Sequence, residues 1–466
     1  MSRWHAGLLS LAVFCPQLSA DPTPLNVAPA PIPKPSLKYL LLPDRDASNS
    51  DNAATLYYRS LALFFESQRL LEDSHEEYWE KWLHAPLEEL RAEEVLAKLS
   101  AYDSLLREVE IASRCRRCDW QLNDRREGMG LVVPDLPGFR HLGRVLIIRA
   151  RREIALGNHE TALAYLRTGF ALSHHLGEGP FGIHVLVGAA IGNWLCDSLE
   201  ELSQTTGAPN LYWALTTLPR PFINPQLAIR DQSEVFEHSF PWLKQMEQGP
   251  LQLAQVQQYA KDLQRFVDGF NIRKPEGANL LTATRVTASF GDAKRYLIDH
   301  GIPTAAVEAM PQLQVVMLAA FREYREAATE TTKWVHVENG FKTAGYKAAK
   351  ERYKDASEQL DRLFFFGLLR ALQGNDFGFE TVVHATNRVD QRIAALRCVE
   401  AVRQYAAAHP GKLPSALANV ADCPAPNDPV TGKPFEYKLT EEKATLTIPR
   451  ISEDRPELTY VITLRR

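Results

Sequence analysis

Apolar side chains recur every three to four positions along most of the chain ahead of Gln391, which predicts helices. The period is clearest in residues 139–176, FRHLGRVLIIRARREIALGNHETALAYLRTGFALSHHL. Two helical patterns meet there at Gly157, because glycine tolerates the left-handed conformation that ends a helix, and Asn158 can cap the next one. This stretch predicts an antiparallel helical hairpin, with small residues where the helices approach.

Two helical regions follow from this pattern. Residues 53–222 are predicted to form a first helical domain, in which segment 181–202 is so apolar that neighbouring helices should enclose it. Residues 223–375 are predicted to form a second, more polar helical half. The fold class is therefore mainly α, a helical-hairpin array or bundle.

The pattern changes near Gln391. Residues 393–408 predict a strong amphipathic helix. Three later segments alternate apolar and polar residues and predict strands: 435–439, 444–448 and 458–464. The first two should pair as a hairpin. We predict a small α+β module over residues 376–466.

The first 52 residues predict export and a tether. A basic start, an apolar run over residues 6–15 and small residues ending at Ala20 are typical of a secretory signal peptide. We predict a signal peptide over residues 1–20, cut between Ala20 and Asp21, and a destination in the periplasm, the cell envelope or the exterior. Residues 21–52 are predicted to be a mobile proline-rich linker followed by a polar loop.

Charge and composition exclude some classes of function. The 466 residues are 45% hydrophobic and 24% charged, an ordinary globular composition. The 53 basic and 57 acidic side chains give a net charge of −4, so the electrostatic footprint of a nucleic-acid binder is absent. We found no apolar run near the roughly 18 residues that suggest a membrane span, and none is predicted.

Five cysteines remain after the predicted cleavage, and two pairs are candidates for chemistry. Cys398 and Cys423 both lie in the C-terminal module and are a candidate disulfide. Cys115 and Cys118 have the spacing of a redox pair, and neighbouring arginines favour a thiolate. The alternative for the second pair is two cysteines at a helix end. A zinc site would need a second matched pair, which the sequence lacks.

Residues Gly177 to Gly182 spell G-x-G-x-x-G. The dinucleotide motif requires a strand before it, whereas a helix is predicted here, and Pro180 removes one backbone donor. The motif is better explained as the end of one helix and the start of another. The sequence predicts no catalytic, cofactor-binding or metal-binding residues.

Five positions of the central hairpin form a further pattern: Ala150, Gly157, Ala162, Leu166 and Phe170. At these positions the hairpin resembles a tetratricopeptide repeat, a stacked helix-turn-helix unit. It covers this one hairpin and implies helix-on-helix packing and a peptide-binding groove.

The C-terminal module resembles the globular head of the major pseudopilins of type II secretion. The matching residues are Tyr405, Gly411-Lys412-Leu413-Pro414, Asp428-Pro429 and Gly432-Lys433-Pro434-Phe435-Glu436-Tyr437. The resemblance implies a head fold. A pilus subunit is not implied, because the residues ahead of Gln391 are polar where such subunits have an apolar spine.

Three further motifs stand out: Arg117-Cys118-Asp119-Trp120, Leu176-Gly177-Glu178-Gly179-Pro180 and Pro209-Asn210-Leu211-Tyr212-Trp213. Through these motifs and the tail motif of the C-terminal module, the whole chain is similar to a family of exported bacterial proteins of unknown function. We expect an exported, non-catalytic scaffold, or a protein- or peptide-binding protein of the cell envelope, without a cofactor. Its expected partner is another envelope protein or a peptide. The alternatives are a hydrolase-like enzyme with a site between the helical halves, and a thiol-redox protein using Cys115 and Cys118.

Overall fold

The computed structural model describes residues 21–43, 51–70, 76–122, 135–268, 277–337, 343–365, 379–451 and 456–465. Within these residues the chain forms sixteen α-helices and one four-stranded sheet, which confirms the predicted mainly-α fold with a small α+β module. The predicted signal peptide, residues 1–20, lies outside the described residues.

The first eight helices precede residue 217: α1 Ala53–Leu70, α2 Glu76–His84, α3 Glu93–Ser100, α4 Asp103–Ser113, α5 Leu136–Leu156, α6 His159–Gly177, α7 Gly182–Ser203 and α8 Tyr212–Thr216. The other eight are α9 Gln226–Ser239, α10 Trp242–Glu247, α11 Leu253–Asp268, α12 Ala278–Asp299, α13 Thr304–Ala309, α14 Gln312–Thr332, α15 Ala344–Leu360 and α16 Phe379–Ala408.

The sheet joins both ends of the described chain. Its strands are β1 Thr23–Val27, β2 Glu436–Thr440, β3 Lys443–Ile448 and β4 Leu458–Leu464. Their spatial order is β1-β4-β3-β2, with β2 and β4 antiparallel to β3 and with β1 parallel to β4. The predicted hairpin between the first two C-terminal strands is therefore confirmed.

Strand β1 corrects the prediction of a mobile linker over residues 21–52. Leu25 and Val27 are buried in the sheet core, and Ala28 and Ala30 are buried immediately after the strand. The proline-rich segment lacks the alternation of a strand, and its partner lies at the other end of the sequence. Residues 44–50, in the predicted polar loop, lie outside the described residues.

The central hairpin has the predicted form. Helices α5 and α6 meet at Gly157, which adopts φ +78° and ends α5. Asn158 precedes α6 but makes no capping hydrogen bond with its side chain, whose Nδ2 donates to Glu153. The small residues Gly143 and Gly169 lie against Ile191 and Leu195 of α7, at distances that leave no room for a side chain. These two glycines allow the hairpin to pack closely against α7.

The chain divides into two compact units. The described part of the parent unit lies within residues 21–121, 135–228 and 382–465, apart from the undescribed gaps. The described part of the inserted unit is Ile229–Thr381 together with Leu122, apart from the undescribed gaps. The first helical domain and the C-terminal module, predicted as separate domains, thus belong to one unit.

The core of the C-terminal module forms where α16 packs on the sheet. Ala395, Val399 and Val402 of α16 are buried with Leu446 and Tyr460 of the strands. The helix begins at Phe379, well ahead of the predicted start at residue 393. The apolar pattern did not predict this extension, because polar residues are frequent in the first turns of the helix.

The inserted unit has its own core. Phe240, Trp242, Phe321 and Phe365 contact one another through ring pairs 5.4–6.2 Å apart. The apolar faces of α11, α12 and α14 enclose these rings. This packing follows from the helical period alone, because neighbouring helices bury their apolar stripes against each other.

Candidate functional site

Charged side chains are buried along α16, on the turns that face the rest of the parent unit. They include Arg392, Arg397, Glu400 and Arg403, with the partly buried Asp390 ahead of them. We call these five residues, with the groups that they bind, the ionic core. Burying charge is costly unless each group finds partners, so the partners show what the ionic core does.

Arg403 is the centre of this arrangement and is fully buried. Its Nε donates to the carbonyl of Ala28 at 2.8 Å, and its Nη1 and Nη2 donate to those of Pro209 at 3.1 Å and Ala208 at 2.9 Å. Nη1 also lies 2.8 Å from both carboxylate oxygens of Glu400. One guanidinium therefore holds the segment after β1 and the loop after α7 against α16.

Glu400 extends the same connection. Its Oε2 accepts the backbone N–H of Leu211 at 3.1 Å, and its carbonyl accepts the side-chain amide of Asn210 at 2.8 Å. That amide also donates to the carbonyl of Ala30. Burial raises the pKa of Glu400, while Arg403 and the N–H of Leu211 act in the opposite direction.

A second ion cluster lies between α7, α16 and β4. Arg392 donates to Asp197 at 2.5 Å, to Glu200, and to the carbonyl of Asn193 at 2.8 Å. The hydroxyl of Tyr460 donates to the same Glu200 carboxylate at 2.5 Å. Burial raises the pKa of Glu200, and Arg392 opposes that rise. The cluster fixes the sheet, the long helix and the apolar helix in one register.

Asp390 is a further acidic residue of α16 whose pKa is changed by burial. Burial raises the pKa of its carboxyl to about 7, although the N–H of Phe222 and the charge of Arg220 act against the rise. The N–H of Phe222 donates to Asp390 at 2.8 Å, and the carbonyl of Phe222 accepts from Nδ1 of His174 at 2.8 Å. The side chains of Asp390 and His174 therefore bind the backbone N–H and the backbone carbonyl of Phe222, respectively.

The candidate redox pair is buried beside an aromatic cluster. Cys115 and Cys118 are both buried, and Sγ of Cys115 donates to the carbonyl of Ile111 at 3.7 Å. Burial, and next the negative charge of Glu178, raise the pKa of the Cys118 thiol. A redox thiolate requires a lowered pKa and access to a partner. The surroundings of this pair therefore favour the alternative of two cysteines at a helix end, since α4 ends at Ser113.

The candidate disulfide is not formed in this structure. Cys398 and Cys423 are free, buried thiols that belong to different apolar clusters. Cys398 packs under the sheet, whereas Cys423 packs beside Tyr212 and Ala401. Burial raises the pKa of each thiol to about 12.

The G-x-G-x-x-G segment joins two helices, as predicted. Gly177 is the last residue of α6 and Gly182 is the first of α7. A side chain at Gly179 would collide with the ring of His184, so this glycine is needed for packing. Among the described residues, no group of three or more His, Cys, Asp and Glu side chains could hold a metal ion.

No family model, curated protein or solved structure matches the chain. Its own geometry is therefore the basis for a functional proposal. Of the helices in the described ranges, α7 is long and apolar enough to cross a membrane, but 83% of that window is buried inside the protein. A core helix passes the same test, so α7 is weak evidence for a span.

The sequence pattern did not reveal the ionic core. Its signal was present, because Glu200 interrupts the apolar run of α7, and Arg397 and Arg403 fall within the apolar pattern of α16. What the pattern could not supply was the partners, since most are backbone carbonyls and side chains from distant segments. Of the predicted site residues, Ala20 lies outside the described residues and Asp21 is exposed two residues ahead of β1.

Proposed function

We propose that the protein is an exported, non-catalytic scaffold of the cell envelope that binds another envelope protein or a peptide. The ionic core is the observation that carries this proposal. Arg392, Glu400 and Arg403 engage backbone groups or opposite charges from segments far apart in the sequence. These hydrogen bonds and ion pairs hold the backbone of the parent unit rigid. A rigid surface loses less conformational freedom when it binds a partner.

Two buried histidines of the parent unit, His141 and His184, support the same proposal. Burial lowers the pKa of His141 to about 3 and of His184 to about 4. Both rings are therefore neutral at physiological pH and packed among aromatic side chains. A general base poised near neutrality needs the opposite environment.

Binding is tested with the mature chain, residues 21–466, cross-linked in an envelope extract and recovered by affinity. Two matched variants then locate the surface. Ile111→Lys changes a half-exposed apolar side chain on α4 of the parent unit, and Leu253→Lys changes one on α11 of the inserted unit. We expect one variant to lose the captured partner and the other to retain it. Capture of no partner by the wild-type chain would contradict the proposal.

Export is tested separately. The full chain, expressed in a bacterium, should appear in the periplasmic or extracellular fraction with Asp21 as its new N-terminal residue. The variant Ala20→Gln, which replaces the small residue before the cut, should accumulate uncleaved. A wild-type chain that stays in the cytoplasm with its first twenty residues attached would contradict the proposed localisation.

An enzyme of unrecognised, hydrolase-like type is the second candidate, and Asp390 is the observation that favours it. A carboxyl with a pKa of about 7 is suited to general acid–base catalysis. A panel of ester, peptide and glycoside substrates separates the two functions. Turnover by the wild type that is lost in a folded Asp390→Asn variant would establish the enzyme.

A further inference from the structure

One buried arginine of the ionic core, Arg397, binds neutral groups in place of a carboxylate. It is 8% exposed. Its Nε donates to the hydroxyl of Thr216 at 3.0 Å, and its Nη2 lies 3.5 Å from the hydroxyl of Tyr212. Its Cζ lies 5.4 Å from the centroid of the Tyr212 ring. These contacts position the guanidinium but do not neutralise its charge.

Two other buried arginines of the parent unit show the usual arrangement. Arg403 lies 2.8 Å from Glu400, and Arg392 lies 2.5 Å from Asp197. A buried cation is costly unless an opposite charge lies beside it. Among the described residues no carboxylate forms such a pair with Arg397, so a ligand that brings a negative charge would stabilise this site.

A second guanidinium lies beside the first. Arg220 follows α8, is exposed, and donates from Nη2 to the backbone carbonyl of Thr216 at 2.9 Å. Burial, and next the charge of Arg397, lower the pKa of Arg220, whereas Tyr212 and Asp390 act in the opposite direction. Two positive charges therefore converge on one residue, and within the described part of the chain neither forms an ion pair with a carboxylate.

The position of the pair leaves it accessible. Thr216 is the last residue of α8 and is half-buried, and the exposed Arg220 opens the site to solvent. Arg397 closes the other side from α16. Because the chain as a whole has a net charge of −4, an anion bound here would be held by the local pair and not by the overall charge.

The donors indicate the class of ligand. A guanidinium presents its N–H groups as a planar fork that matches the oxygens of carboxylate and phosphate groups. A carboxylate brings one negative charge, whereas a phosphate monoester carries about 1.5 to 2 negative charges at pH 7. A phosphate group therefore matches two guanidiniums in charge, and it offers three acceptor oxygens.

We propose that Arg220 and Arg397 form a binding site for a phosphate group, where α8 ends beside α16. The guanidinium N–H groups that do not bind Thr216 donate to the phosphate oxygens, and Tyr212 holds Arg397 in place. The phosphate is that of the free ion or that of a small monoester. The site is separate from the side chains on α4 and α11 that test the scaffold function, so failure of one proposal leaves the other intact.

Isothermal titration calorimetry of the mature chain at pH 7 and low ionic strength tests the site. Sodium phosphate is the first ligand, glycerol 1-phosphate is the second, and sodium chloride is the reference. We expect one phosphate per chain, with a dissociation constant of about 1 mM or below. Binding of both ligands assigns a site for monoesters, and binding of sodium phosphate alone assigns a site for the free ion.

Three variants complete the test. Arg397→Gln and Arg220→Gln should each weaken phosphate binding at least about tenfold, because each loses charged hydrogen bonds to the ligand. Arg220 is exposed, so Arg220→Gln keeps the fold even if Arg397→Gln does not. Arg114→Gln is the control, because this exposed arginine of the parent unit already pairs with Glu110 at 2.6 Å. It should bind phosphate as the wild type does. A wild-type chain that does not bind phosphate, or an Arg220→Gln variant that binds it as tightly as the wild type, would overturn the proposal.

Discussion

The two units differ in the interactions that stabilise each of them internally. In the described residues of the inserted unit, Asp361 is the one charged side chain that is buried, and an aromatic core does most of the packing. The side chains of its described ion pairs are at least about one quarter exposed, as in the pair of Arg322 with Glu247. The parent unit buries Arg392, Glu400 and Arg403 and surrounds them with backbone groups.

The difference follows from how each unit is assembled. The described helices of the inserted unit belong to an almost continuous stretch, so apolar faces meet between near neighbours in sequence. The parent unit is built from three separate segments, and β1 must find β4 at the other end of the chain. Apolar packing is non-directional, whereas charged hydrogen bonds fix position. We infer that the ionic core sets the register of the parent unit.

Of the changes considered, removal of Arg403 should lower the free energy of unfolding the most. Arg403→Met leaves Glu400 buried without its counter-charge and deprives the carbonyls of Ala28, Ala208 and Pro209 of a donor. We expect the free energy of unfolding to fall by about 3–5 kcal/mol. Urea unfolding followed by circular dichroism measures this loss.

Arg322→Met in the inserted unit is the matched control. Its pair with Glu247 is partly exposed, and Arg325 still binds the same carboxylate at 2.8 Å. The loss should be below about 1 kcal/mol. Adding Glu400→Gln to Arg403→Met should recover part of the stability, because no unpaired carboxylate remains. Equal losses for the two arginines would remove the distinction between the units.

The pH dependence of stability should separate the units next. The pKa of Asp390 rises from 3.8 to about 7 on folding, so between about pH 4 and pH 7 this carboxyl holds its proton in the folded chain and has lost it in the unfolded chain. The free energy of unfolding should therefore fall as the pH rises through this window, by up to about 4 kcal/mol from this group. Above pH 8 its contribution is constant.

Asp390→Asn keeps the acceptor for the N–H of Phe222 and removes the titration. The difference between the wild-type and variant curves isolates the one carboxyl, since the other buried acids are common to both. Unfolding measured at pH 4, 5.5, 7 and 8 should show the variant gaining on the wild type as the pH rises. A constant difference across these values would show that Asp390 does not titrate there.

The sequence predicted elements that form between nearby residues and did not predict contacts between remote segments. The hairpin at Gly157, the apolar helix α7 and the β2–β3 pair all follow from periods and turns within a few dozen residues. Strand β1 has no such signal, because Pro24 interrupts a five-residue segment whose partner is remote. The ionic core was missed for the same reason: a charge at an apolar position is visible, but its partners are not.

One neutral residue gives the inserted unit a directional contact of its own. Gln314 is fully buried, its Nε2 donates to the carbonyls of Met246 and Gly249, and its Oε1 accepts the N–H of Leu251. Gln314→Leu should cost about 2–3 kcal/mol, because these backbone groups lose their partner. The cost should not depend on pH, in contrast to Asp390, and urea unfolding at two pH values checks both statements.

Gln258→Leu is the control for this substitution. Its amide binds Asp262 one turn along the exposed face of α11, so the change should stay within about 0.5 kcal/mol. A loss at Gln258 as large as that at Gln314 would mean that the cost comes from changing glutamine to leucine and not from the buried contacts.

Reduction should have the smallest effect, and it tests whether the parent unit also uses a covalent link. Cys398 and Cys423 lie in different clusters as free thiols, so the unfolding midpoint should be the same with and without dithiothreitol. The five cysteines from Cys115 to Cys423 should react with a thiol reagent after denaturation and react slowly before it, since burial raises the pKa of Cys398 and Cys423 to about 12. A disulfide would appear as two missing thiols and as a loss of about 2–4 kcal/mol on reduction. That result would show that a disulfide, in addition to the ionic core, connects the segments of the parent unit.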